Sequence, residues 1–102
     1  MKKIKMEIEA NKTVEKLFKK YMTASNEFVK DSLESFLIEK RRKYKIELNQ
    51  LLRKYNVKDV KQLENKIKKG IVEEHPAWED LIEIENLIEE LKDIESDLAK
   101  LS

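Results

Sequence analysis

The residues that could bind a metal or transfer a proton gather around the single histidine of this chain. His75 lies close in sequence to three carboxylates, Glu73, Glu74 and Glu79. A structural zinc site needs roughly three or four convergent ligands, and the sequence contains no cysteine and no second histidine. A single glycine also excludes a glycine-rich phosphate loop. We therefore expect no enzymatic activity, metal, cofactor or small-molecule substrate, and an exposed His75 near a helix start.

The charges are divided unevenly along the chain. Residues 1–58 contain 16 Lys and Arg against 8 Asp and Glu, a net charge of +8. Residues 59–102 contain 6 against 13, a net charge of −7. A basic half suits a polyanion and an acidic half suits a basic partner. The alternative is that the two halves attract each other within the fold or across a dimer.

Composition limits how the chain can bury its apolar surface. Charged residues make up 42% of the 102 residues and apolar residues 40%. The core of a monomer would be thin, so burial against a second chain is expected. No apolar run exceeds three residues, so we expect neither a transmembrane span nor a signal peptide, and no membrane partner. The absence of cysteine agrees with a cytoplasmic protein.

The first residues alternate between apolar and charged side chains. Ile4, Met6 and Ile8 alternate with lysine and glutamate, which is the period of a half-buried strand over residues 3–9. A lone strand must pair, and the same strand of a second copy would complete a two-stranded antiparallel ribbon. The alternative is that residues 1–22 form one continuous helix.

Helical spacing dominates the rest of the basic half. Asn11 is a candidate N-cap for a first helix that runs to about Met22. A second helix is predicted from Asn26 to about Tyr55, with a break allowed in the charge-rich stretch at residues 39–43. The basic residues between positions 40 and 45 fit a solvated helix face better than a nucleic-acid patch.

Two further helices are predicted in the acidic half. Asp59 is the expected N-cap of a short helix with Lys68 and Lys69 in its last turn and Gly70 just after it, and Pro76 marks the first turn of the last helix. The apolar residues of the last helix follow the 3-4-3-4-3 spacing of a coiled-coil seam: Ile84, Leu87, Leu91, Ile94, Leu98 and Leu101. This seam packs either on a partner or inside an intrachain helical bundle.

The order strand, helix, turn, helix in residues 3–37 resembles the ribbon-helix-helix (MetJ/Arc-like) family of dimeric DNA-binding proteins. The resemblance is carried by residues 4–8, 14–17 and 25–33. It implies a mostly α chain whose residues 1–55 form a ribbon-helix-helix dimerisation and DNA-binding region, with one short strand paired in a dimer. A long helix and an acidic C-terminal helical arm, within residues 56–102, would follow.

The same resemblance implies roles for individual residues. Paired ribbons enter the major groove of operator DNA, where Lys3, Lys5 and Glu7 would contact bases. Phosphate contacts would come from Lys2, Lys12, Ser25 and Asn26. The homodimer core would consist of Ile4, Met6, Ile8, Phe28, Val29, Leu33, Phe36 and Leu37.

C-terminal extensions in this family often belong to antitoxins. The resemblance therefore implies an antitoxin that represses its own operator and neutralises a small basic protein toxin through its acidic helices. The partner-binding residues would be Trp78, Leu81, Ile82, Ile84, Leu87, Ile88, Leu91, Ile94 and Leu98. The alternative is an all-helical oligomeric scaffold or adaptor without DNA binding, in which residues 1–22 are helical.

Overall fold

A computed structural model describes residues 11–22 and 26–102. Within these residues the regular elements are four helices: α1 (Lys12–Met22), α2 (Asn26–Lys54), α3 (Val60–Lys68) and α4 (Glu74–Leu101). The chain divides into two compact units, Met1–Glu34 and Ser35–Ser102. This division falls inside α2, and the predicted functional boundary after residue 55 stays a prediction.

In the N-terminal unit, α1 begins where the sequence predicts it. The Asn11 Oδ1 atom accepts hydrogen bonds from the backbone N–H groups of Thr13 and Val14, each at 3.1 Å. These bonds satisfy two of the donors that a helix start leaves unpaired. Glu15 and Lys19 form an ion pair one turn apart, at 3.0 Å. The predicted N-cap and the helix end at Met22 are confirmed.

In the C-terminal unit, α2 runs through residues 39–43 without a break and ends at Lys54. Asn56 has a positive φ of 52°, which turns the chain out of the helix. The Lys66 ammonium group, on α3, donates to the carbonyl oxygens of Tyr55 and Asn56 at 2.9 and 3.2 Å. A cation from another helix thus satisfies carbonyls at the negative end of α2.

Both ends of α3 carry the caps that the sequence predicts. The Asp59 carboxylate accepts the N–H of Gln62 at 2.9 Å, and the Gln62 side chain accepts the N–H of Lys58 at 2.7 Å. This reciprocal pair resembles a capping box. At the other end Gly70 has a φ of +71°, and its N–H donates to the carbonyl of Ile67 at 3.0 Å. The turn after α3 therefore needs the left-handed conformation that glycine adopts freely.

Removal of the α3 cap should be measurable. Asp59→Ala is expected to lower the free energy of unfolding by about 1 kcal/mol, because an N–H donor at the helix start loses its partner. Urea unfolding followed by far-UV circular dichroism measures the change. Asp59→Asn is the control, since asparagine also caps a helix and should leave stability nearly unchanged. Equal losses for the two variants would contradict the capping role.

The core of the C-terminal unit lies where α3, α4 and the end of α2 meet. Lys54 pairs with Asp80 at 2.7 Å, and Arg41 pairs with Glu95 at 3.0 Å. Because the order of these partners is reversed, α2 and α4 run antiparallel. The buried cluster consists of Val57, Leu63, Ile67, Ala77, Leu81 and Ile84. Half-buried apolar residues pack against it: Leu48, Leu51, Leu52, Tyr55, Val60, Val72, Trp78 and Ile88.

The ribbon-helix-helix fold class is wrong, although the mostly α prediction is confirmed. The residues that the structure describes form helices and contain no strand. The segment predicted as the ribbon, residues 3–9, lies outside the described residues. A seven-residue alternation is a weak basis for a fold, since lysine, glutamate and methionine are also good helix formers. The C-terminal part of α2 instead packs its apolar side into a helical core of the same chain.

Candidate protein-interaction surfaces

The N-terminal unit exposes a concentration of large apolar side chains. We call it the N-terminal apolar face; it comprises Val14, Leu17, Phe18, Tyr21, Phe28, Val29 and Leu33. The exposed fraction of these residues ranges from 37% at Phe18 to 58% at Tyr21. The four on α1 recur at the spacing i, i+3, i+4, i+7, so they form one stripe along that helix.

Such a face is unfavourable in water unless another surface covers it. Single exposed apolar residues are normal on soluble proteins, but the stripe of α1 groups four of them on one side of a helix. In addition, α1 has only 11 residues, and isolated helices shorter than about 12–15 residues are marginal in water. The stability of α1 therefore depends on the burial of its stripe, which makes this face the best candidate for an interaction site.

The structure places only part of the predicted DNA-binding set. Lys12 is the exposed first residue of α1, and Asn26 begins α2. Of the predicted dimer core, Phe28, Val29 and Leu33 are exposed in the N-terminal unit. In the C-terminal unit, Phe36 is 60% exposed and Leu37 is half-buried. The other predicted positions lie outside the described residues: Lys2, Lys3, Ile4, Lys5, Met6, Glu7, Ile8 and Ser25.

The apolar seam of α4 is used largely inside the chain. Among the predicted partner-binding residues, Leu81, Ile84, Leu87 and Ile94 are buried. Half-buried positions are Trp78, Ile88, Leu91 and Leu98. Ile82, which is 57% exposed, is the one member of the set that faces solvent. This arrangement matches the alternative in which the seam closes an intrachain bundle.

The outward side of α4 is strongly acidic. Residues 74–101 contain ten Asp and Glu against two Lys, a net charge of −8. Apart from Asp80, these carboxylates are exposed. Charge of this sign repels nucleic acid and attracts basic proteins.

One polar cluster joins the end of α2 to α4. The Lys54 ammonium donates to Asp80 Oδ2 at 2.7 Å, and the Tyr55 hydroxyl donates to the same oxygen. The bonds from Lys54 and Tyr55 hold the pKa of Asp80 below its ordinary value. Burial, followed by the bond to Asp80, raises the pKa of Tyr55. The cluster is a hydrogen-bonded ion pair that links the end of α2 to α4.

Sequence reasoning missed this cluster. The sequence prediction places Tyr55 at the end of the second helix and does not connect it with Asp80. The two residues are 25 positions apart, so no local periodicity connects them. A tyrosine at the end of an apolar stripe was the available signal, because a partly buried hydroxyl needs a hydrogen-bond partner.

His75 pairs with a carboxylate one turn further along α4. Its Nδ1 atom lies 2.8 Å from Glu79 Oε1, and both side chains are exposed. A bond from its own backbone N–H, together with the bond to His75, lowers the pKa of Glu79. No group of three or more His, Cys, Asp or Glu in the described residues is arranged to hold a metal ion. The predicted exposure of His75 is confirmed.

Comparison with known proteins places the chain in a family. A search of curated proteins and a search of solved structures each gave no match. None of the described helices has the length and apolar character required to cross a membrane. A family model described as "Uncharacterized protein MJ0235 family" matches residues 1–102. The chain therefore belongs to the uncharacterized MJ0235 family.

Proposed function

We propose that this protein is a homo-oligomeric helical scaffold or adaptor that acts by helix–helix association and has no enzymatic activity. The observation that carries the proposal is the N-terminal apolar face, where seven large apolar side chains are exposed on two helical segments. Amphipathic helices gain most of their stability when this kind of face is buried against another helix.

The C-terminal unit supports the same proposal because the apolar seam of α4 is already buried or half-buried within it. Its buried cluster draws residues from α3, α4 and the segment between α2 and α3, and its exposed side on α4 is acidic. The C-terminal unit has a charged surface, and the N-terminal unit has exposed apolar side chains. The two units would therefore have different tasks. The N-terminal unit associates, and the C-terminal unit is the part that the assembly presents to basic partners.

Neutralisation of a small basic toxin stays a prediction. The acidic surface of α4 favours a basic partner, but eight of the nine residues predicted to bind it are buried or half-buried within the chain. Operator binding depended on a ribbon-helix-helix fold, so the scaffold role accounts better for the described residues.

Self-association should depend on the N-terminal apolar face. Leu17→Lys places a charge in the stripe of α1 at a position that is 50% exposed, so it should leave the C-terminal unit folded and raise the dissociation constant of the oligomer by about 10-fold or more. Size-exclusion chromatography with light scattering measures the mass against concentration. The matched control is Ile82→Lys, at a position 57% exposed in the C-terminal unit, which should associate like the wild type.

Two results would contradict the proposal. One is a wild-type mass of 12.2 kDa, the mass of one chain, at every concentration tested. The other is equal weakening by Leu17→Lys and Ile82→Lys, which would show that association does not use the N-terminal face.

A further inference from the structure

We draw no further inference here: the strongest candidate, the exposed apolar stripe that Val14, Leu17, Phe18 and Tyr21 form along α1, carries nothing beyond the proposed function because nothing in the structure shows what covers it.

Discussion

Leu63→Ala is expected to lower the free energy of unfolding by about 3 kcal/mol. Leu63 is completely buried in the cluster formed by α3, α4 and the end of α2. Alanine would remove most of its contacts and leave a cavity that a small helical core can only partly close. Urea unfolding followed by circular dichroism and by Trp78 fluorescence measures the loss, because Trp78 packs against this cluster.

An exposed isoleucine provides the comparison for this core substitution. Ile82 lies on α4 with 57% of its surface exposed, so Ile82→Ala should change stability by no more than about 0.5 kcal/mol. Ile84→Ala, at a second completely buried position, should again cost several kcal/mol. A loss below about 1 kcal/mol for Leu63→Ala would contradict the described core.

Asp80→Asn is expected to reduce stability by about 1 kcal/mol at neutral pH, because it removes the charge that accepts bonds from Lys54 and Tyr55. The pKa of Asp80 is lowered in the folded state. Its contribution is therefore complete above the ordinary carboxyl pKa of about 4 and is lost as the pH falls below that value. Unfolding measured from pH 7 to pH 2 should show a smaller acid destabilisation in the variant.

The matched control is Asp93→Asn on the same helix. Asp93 is exposed, and its replacement removes one negative charge from α4 without touching the end of α2. Its stability should follow the wild-type pH dependence. If Asp93→Asn and Asp80→Asn reduced the loss of stability at acid pH equally, the effect would come from the net charge of α4 and not from the Asp80 cluster.

The sequence predicts the helices and their ends well because the caps and turns that set them involve neighbouring residues. Asn11 and Asp59 accept N–H groups two or three residues away, and Gly70 supplies a positive φ at the position where it stands. The 3-4 spacing of α4 also predicted which of its residues turn inward. In each case the physical reason lies within one or two helical turns of sequence.

Local patterns do not predict which helices pack against one another. The spacing of α4 shows that its seam is buried but not whether the covering residues belong to this chain or to another. The structure shows that α4 packs within its own chain. The contacts that show it join residues 25 or 54 positions apart, such as Tyr55 with Asp80 and Arg41 with Glu95. The alternation at residues 3–9 led to the wrong fold class because a short pattern was extended to a whole architecture.

The lysine that caps α2 from α3 has a consequence for how the C-terminal unit opens. Lys66 donates to the carbonyls of Tyr55 and Asn56, so the turn that follows α2 loses these hydrogen bonds whenever α3 detaches. The two segments should then exchange their amide protons with solvent as one cooperative block, with a common opening free energy. Acetylation of Lys66, which removes its charge, would uncouple them and let the end of α2 fray first.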